Sequence, residues 1–132
     1  LTFNNYFIGQ ALQKKPISVY SPGTQKRNLI YVDDAIEAIY LLSNYQNKKN
    51  ETFQVVSDDH FSVIQIAQTI AKIFDVSVSV DDWPNSASQD IGSVTYSNDK
   101  IKSIIDWEPI YNIEDGLKTT KQYYLKNLKE YL

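Results

Sequence analysis

Histidine and cysteine, two side chains often used in acid–base, nucleophilic and metal chemistry, are nearly absent from this sequence. His60 is the only histidine, and it stands in a turn before a predicted helix, where an exposed polar role is commoner than that of a base. A metal site would need further ligands, and the absence of cysteine removes disulfides, thiolate zinc sites and cysteine nucleophiles. Asp33 and Asp34 could form a carboxylate pair, but a helix N-terminus explains them better because its open N–H groups favour negative charge. These residues predict neither a catalytic nor a metal site.

The composition indicates one folded domain. The chain has 132 residues, of which 42% are apolar and 13% aromatic, more than a disordered chain carries. Thirteen basic and sixteen acidic side chains give a net charge of −3, which disfavours nucleic-acid binding. No apolar run approaches the roughly 20 residues of a membrane span, and no signal peptide is recognisable, so we expect a cytoplasmic protein without a membrane contact. Because a helical pattern is already under way just after Leu1, we expect a fragment of a longer chain.

Apolar spacings of three and four predict a helix over residues 4–12, and alternation predicts a strand over Ile17–Tyr20. A second β-rich run at residues 29–32 is predicted to pair locally with the first. Asp34 and Glu37 fit a capping box that opens the next helix.

The second half continues the alternation of elements. Residues 52–56 predict a strand, Ser62 and Gln65 form a second capping box before a strongly apolar helix face, and residues 76–80 predict a one-sided strand. Further helix starts are predicted at Ser97 or Asn98, and at Asn112. The order α-β-β-α-β-α-β-α-α, without an internal repeat, indicates a mixed α/β domain whose strands continue a larger sheet.

Three ordered blocks of residues run nearly the length of the chain. They comprise residues 10–12, 16–20, 23–27 and 30–34; residues 53–56 and 62–67; and residues 97–101, 105–109 and 112–117. The first block matches the pattern P-I-x-V-Y-G-x-G-x-Q-x-R-D-x-I-Y-V-D-D through Pro16-Ile17-Ser18-Val19-Tyr20 and Ile30-Tyr31-Val32-Asp33-Asp34. In this order the blocks resemble the C-terminal region of the extended short-chain dehydrogenases, the family of nucleotide-sugar epimerases and 4,6-dehydratases.

The resemblance implies a parallel-sheet N-terminal domain for NAD or NADP and a smaller C-terminal domain for the nucleotide diphosphate of the sugar substrate. Residues 1–132 correspond to the latter, a small mixed α/β substrate-binding domain without the dinucleotide-binding domain. The family's glycine-rich phosphate loop would lie before Leu1, and the four glycines of the chain are scattered. The implied partners are a nucleotide sugar and the protein's own N-terminal domain, through which any homodimer would form.

Arg27 is the substrate-binding residue that the resemblance singles out. The family's arginine at this position forks toward a substrate phosphate, and a guanidinium matches two phosphate oxygens at once. The alternative is a solvated arginine in the basic loop that it forms with Gln25 and Lys26. Asn28 replaces the aspartate usual in the family.

Gln25, Trp83 and Lys100 complete the substrate-binding candidates. Trp83 lies where relatives often contact the nucleotide base or ribose, although a loop tryptophan commonly fills local core. The family's second phosphate-binding arginine aligns with Ala87, so Lys100 or a residue outside the chain would replace it, or the substrate is not a standard nucleotide diphosphate.

No catalytic residue is expected here. The family's catalytic tyrosine precedes a lysine by four residues, and the lysine lowers the phenol pKa so that the tyrosine acts as a general base. Tyr45 with Lys49 and Tyr96 with Lys100 match this spacing, but neither pair lies in the expected topology, so both matches are interpreted as accidental.

The resemblance implies part of an NAD(P)-dependent nucleotide-sugar epimerase or dehydratase, inactive as an isolated fragment. An alternative is a non-catalytic binding or regulatory module on the same scaffold, favoured by Ala87. An unrelated α/β interaction domain would require the ordered blocks to be coincidence.

Overall fold

The computed structural model describes residues 2–20, 22–46, 50–82 and 92–127. The helices in these ranges are α1 (Phe3–Leu12), α2 (Val32–Asn44), α3 (Val63–Phe74), α4 (Asp99–Lys102) and α5 (Ile113–Lys126). The strands are β1 (Ile17–Tyr20), β2 (Lys26–Arg27), β3 (Phe61–Ser62) and β4 (Val78–Asp81). The predicted mixed α/β class and the predicted order of element types are confirmed, while two of the strands lie elsewhere than predicted. Among the described helices, none is both long and apolar enough to cross a bilayer.

The strands form two small sheets. β1 pairs with β4 in parallel, with Ile17 opposite Val78, and β2 pairs with β3 in antiparallel, with Arg27 opposite Phe61. The predicted local pairing of β1 with residues 29–32 is therefore wrong. In that run Leu29 packs on one apolar cluster and Ile30 on another, so the run is apolar because it passes between two cores.

The predicted strand at residues 52–56 is also wrong within the described part of the chain. These residues form no ladder with another described segment. Phe53 and Val55 instead pack against the smaller apolar cluster. Alternate apolar residues made the segment resemble a strand, but a strand also needs a hydrogen-bonded neighbour.

The main core lies where α3 meets α1, β1 and α5. The predicted capping box at α3 is confirmed, because the Ser62 side chain accepts from Gln65 N and the Gln65 side chain accepts from Ser62 N. Ile66 and Ile70 on the face that follows are fully buried. Burying each such side chain contributes about 1.5–3 kcal/mol. The other buried members of this cluster come from all four elements: Phe7, Ile8, Ala11, Ile17, Val19, Val63, Ala67, Ala71, Phe74 and Leu117.

A second core joins α2 to α4 through Ala38, Ile101 and Trp107. Here the predicted capping box of Asp34 and Glu37 is wrong. α2 begins at Val32, with Tyr31 as its N-cap, three residues before the predicted cap. Asp34 therefore lies in the first turn and turns its carboxylate toward a distant segment.

The remaining helix starts follow the sequence more closely. Asn112 caps α5 as predicted, with its side-chain oxygen accepting from Asp115 N at 2.9 Å. At α4, Ser97 Oγ accepts from Asp99 N at 3.0 Å, whereas Asn98 makes no side-chain cap and is buried.

Candidate functional site

The loop that carries Arg27 is tied on one side to the start of α3. Ile64 N donates to Gly23 O at 2.9 Å, and Val63 N donates to Gln25 O at 3.1 Å. Gly23 has a φ of +66°, and a Cβ placed there would lie 2.7 Å from Val19 Cγ1. Glycine is required at this turn, because a larger residue would force the loop away from β1 and α3.

On its other side the same loop is bound by the segment that begins at Gly92. Lys26 N donates to Ser93 Oγ at 2.9 Å, and Val94 N donates to Lys26 O at 3.1 Å. The backbone of β2 is therefore held from both sides, by β3 and by residues 92–94.

The Arg27 guanidinium lies against this segment and does not extend into bulk water. Its Nη1 donates to Lys26 O at 2.8 Å and to Gly92 O at 2.6 Å, and the residue is half-buried. Two carbonyl oxygens thus fix the plane of the guanidinium. An oriented cation of this kind can bind a phosphate through parallel N–H bonds.

Asn28 is a further residue of this site to which the sequence analysis gave no role. Its Nδ2 donates to Ser57 O at 3.0 Å and to Asp59 O at 3.4 Å, while its Oδ1 accepts from Tyr96 N at 2.8 Å. The one signal in the sequence was the replacement of the aspartate that the family pattern carries.

The other predicted site residues do not all gather at Arg27. Gln25 is half-buried in the same loop. The Lys100 ammonium lies elsewhere, 2.9 Å from Thr52 O, 3.2 Å from Glu51 Oε2 and 4.7 Å from the centre of the Phe53 ring. Lys100 therefore ties α4 to residues 51–53. Trp83 and Ala87 lie outside the described residues.

The pairs with tyrosine and lysine spacing stay unassigned to catalysis. Tyr96 is half-exposed on the loop before α4, while the contacts of Lys100 are with residues 51–53. Lys49, the partner of Tyr45 in the other pair, lies outside the described residues. His60 is exposed, in the turn that precedes β3.

A polar cluster forms where this turn meets α4. Lys102 Nζ lies 2.9 and 2.8 Å from the two carboxylate oxygens of Asp58, and Asn98 Nδ2 donates to Asp58 Oδ1 at 2.9 Å and to Val56 O at 2.9 Å. The hydrogen bond from Lys102, followed by that from Asn98, lowers the pKa of Asp58 below its ordinary value of 3.8. The same pairing raises the pKa of Lys102. Both groups are therefore charged at neutral pH and form an ion pair.

A cavity of about 250 Å³ opens between the starts of α1 and α5. The rings of Tyr31 and Tyr111 lie 4.4 Å apart at its wall, and the buried Asn4 Oδ1 has no hydrogen-bond partner among the described residues. Burial, and then the charge of Asp33, raise the pKa of Tyr31. The Tyr31 phenol therefore remains protonated at neutral pH, which removes it as a general base.

Comparison with known proteins gives consistent matches along the chain. A sequence model of the NAD dependent epimerase/dehydratase family matches residues 2–56. The dTDP-glucose 4,6-dehydratase of Xanthomonas campestris pv. campestris is 32% identical over 130 residues, covering 91% of this chain and 36% of the relative. UDP-glucuronic acid decarboxylase 1 of Arabidopsis thaliana is 28% identical over 111 residues, covering 84% of this chain and 25% of the relative.

The fold is shared with solved structures of such enzymes. The UDP-glucuronic acid 4-epimerase of Bacillus cereus, in complex with UDP-glucuronic acid and NAD, superposes with a TM-score of 0.79 at 22% identity, over 96% of this chain and 40% of that structure. The chain thus spans between a quarter and two-fifths of the length of these proteins. In sequence the chain matches the NAD dependent epimerase/dehydratase family, and in fold it is similar to a solved UDP-glucuronic acid 4-epimerase.

Proposed function

We propose that this chain is the C-terminal, substrate-binding part of an NAD(P)-dependent nucleotide-sugar epimerase or dehydratase, and that Arg27 binds the diphosphate of the substrate. The observation that carries the proposal is the half-buried Arg27 guanidinium, oriented by the carbonyls of Lys26 and Gly92. The Bacillus cereus relative, solved in complex with UDP-glucuronic acid and NAD, supports this class of substrate.

The Arg27 guanidinium is held in place before a ligand binds. A guanidinium on a mobile loop loses conformational freedom when it binds a phosphate, which weakens binding. Here the loop is tied to α3 on one side and to residues 92–94 on the other, so most of that loss has occurred before the ligand arrives. Gln25 lies in the same hydrogen-bonded loop and is placed to contact the substrate beside Arg27.

The sequence of this chain lacks the glycine-rich motif that binds a dinucleotide cofactor. A dinucleotide pyrophosphate needs a glycine-rich turn between a parallel strand and the start of a helix. The glycines of the chain stand at positions 9, 23, 92 and 116, too widely spaced for that motif. We therefore assign NAD or NADP to an N-terminal domain, place no catalytic or cofactor-binding residue in this chain, and expect the isolated chain to be inactive.

The exposed side of α2 supports the presence of such a domain. Val32, Ile36, Ile39 and Tyr40 are 57% to 64% exposed on one side of the helix, while Ala38 on the other side is fully buried. Residues 52–56, which have strand-like composition and no ladder within the described chain, also fit a sheet provided by that domain. A homodimer formed through the same domain and a cytoplasmic location are further parts of this proposal.

Replacing Arg27 tests the proposed site. In the full-length protein, Arg27→Ala should weaken binding of UDP or dTDP sugars by about 1.5–3 kcal/mol, the range for a hydrogen bond to a charged group. Isothermal titration calorimetry measures the change. Lys26→Ala is the matched control, because Lys26 is exposed and only its backbone contributes to the contacts described above. Equal affinity of the wild-type and Arg27→Ala proteins would remove Arg27 from the site.

The alternative function is a binding or regulatory module that kept the scaffold without catalysis. Ala87, at the position where relatives carry a second phosphate-binding arginine, favours it. The two functions differ in the preceding domain, where an enzyme needs a glycine-rich phosphate loop and a tyrosine–lysine pair. Turnover of a bound nucleotide sugar by the full-length protein, followed by nuclear magnetic resonance, would exclude the module.

A further inference from the structure

Asn28, next to Arg27, makes side-chain hydrogen bonds to two other segments of the chain. Its side-chain amide donates to Ser57 O and Asp59 O in the turn before β3, and its side-chain oxygen accepts from Tyr96 N in the segment before α4. One side chain thus joins the strand that carries Arg27 to two loops that are distant in sequence.

This network requires an amide. Asparagine offers two donors and an acceptor on one short side chain, whereas a carboxylate offers only acceptors. An aspartate at position 28 would still accept from Tyr96 N, but it would place an oxygen opposite the carbonyls of Ser57 and Asp59. The asparagine that replaces the family's aspartate is therefore matched to the loops of this particular chain.

The network reaches the guanidinium through residues 92–96. Gly92 O accepts from Arg27 Nη1 at 2.6 Å, Val94 N donates to Lys26 O at 3.1 Å, and Tyr96 N donates to Asn28 at 2.8 Å. The segment is thus attached to the Arg27 strand at successive alternate residues. Loss of the attachment at Tyr96 would let the segment, and with it the Gly92 carbonyl that orients Arg27, move.

We propose that Asn28 is a positioning residue for Arg27: by holding residues 92–96 against β2, it fixes the guanidinium in the orientation that binds a nucleoside diphosphate. The inference rests on the proposed role of Arg27. It assigns to Asn28 an effect on affinity that depends on the presence of Arg27, which a purely structural role would not have.

A double-mutant cycle tests this dependence. UDP and dTDP are titrated calorimetrically into the full-length protein at a temperature where circular dichroism shows every variant folded. We expect Asn28→Ala to weaken binding about tenfold when Arg27 is present, and less than about twofold in the Arg27→Ala background, a coupling within the range of contacting residues. An equal loss in both backgrounds, or no loss beside Arg27, would overturn the inference.

Two further variants provide a control and a replacement for Asn28→Ala. Asn44→Ala removes a comparable amide bond, from Asn44 Nδ2 to Tyr40 O at 3.0 Å, and should leave the affinity unchanged. If Asn28→Ala fails to fold, Asn28→Asp, which keeps the acceptor and loses both donors, takes its place in the cycle. An unchanged affinity of Arg27→Ala refutes the function proposed for the site, whereas an affinity that depends on Arg27 but not on Asn28 refutes only this inference.

Discussion

Asp34 is a carboxylate that is only 4% exposed, and its contacts explain how it is accommodated. Its two oxygens accept from Ile110 N and Tyr111 N, each at 3.1 Å, and its backbone carbonyl accepts from Trp107 Nε1 at 3.0 Å. Burying a charge is costly unless hydrogen bonds compensate, and here two backbone amides do so. The first turn of α2 is thereby fastened to the segment that leads into α5.

Removing this carboxylate should lower the stability of the fold. Asp34→Ala leaves two amides without their acceptor and is expected to reduce the free energy of unfolding by about 2–4 kcal/mol. The exposed neighbour Asp33 is the matched control, and Asp33→Ala should change stability by less than about 0.5 kcal/mol. Urea denaturation followed by circular dichroism measures both. Equal midpoints for the two variants would show that the Asp34 contacts contribute nothing.

At the scale of elements, local signals were predictable and distant ones were not. The caps of α3 and α5 lie within three residues of the groups they satisfy, so the sequence around Ser62 and Asn112 was sufficient to place both helices. β1 pairs with β4, which lies far along the sequence, and no feature near Ile17 encodes that partner. The capping box predicted at Asp34 was wrong for the same reason. The Asp34 carboxylate accepts from backbone amides that lie far along the sequence.

The candidate site was likewise predictable only in part. Arg27 could be chosen as a candidate because it belongs to an ordered motif. The orientation of its guanidinium could not be predicted. Gly92, whose carbonyl oxygen accepts from the guanidinium, is distant in sequence and has no side chain that would indicate the contact. Asn28 was visible only as a departure from the family pattern.

The turn before β3 and helix α4 are joined by the ion pair of Asp58 and Lys102, and the pair predicts a dependence of stability on pH. Because folding lowers the pKa of Asp58, its contribution is present above about pH 4 and is lost as the pH falls through the lowered value. Because folding raises the pKa of Lys102, its contribution is present at and below the ordinary value of 10.5 and is lost only at higher pH. The pair therefore stabilises the fold across the neutral range.

Lys102→Gln should reveal this dependence. Asp58 is 59% exposed, so we expect a loss of only about 0.5–1 kcal/mol at pH 7. The difference from the wild type should shrink as the pH falls below about 4 and disappear once Asp58 is protonated in both proteins. Denaturation curves recorded from pH 7 downward provide the test, with Lys15→Gln as a control for the lost charge. A difference that does not shrink as the pH falls would mean that packing of the Lys102 stem, and not the ion pair, stabilises α4.

At the scale of the whole molecule, α2 has one buried side and one apolar side that no described residue covers. Ala38 and Asp34 face the smaller core, while Ile36, Ile39 and Tyr40 are 57%, 64% and 62% exposed. Contiguous exposed apolar side chains of this kind mark a contact surface. The chain spans 36% of the dehydratase and 40% of the epimerase structure, and the N-terminal domain proposed above is the partner that we infer for this surface.

The substitution Ile39→Lys tests whether the exposed apolar side of α2 is a contact surface. In the 132-residue chain Ile39 is mostly exposed, so the substitution should change the free energy of unfolding by less than about 0.5 kcal/mol. In the full-length protein it should destabilise by about 2 kcal/mol, because a cationic side chain would replace an isoleucine buried between domains. Glu37→Lys, at an exposed polar position of the same helix, should be neutral in both proteins. Thermal and urea denaturation of the two lengths in parallel give the comparison, and an equal effect of Ile39→Lys on both would mean that no domain packs against α2.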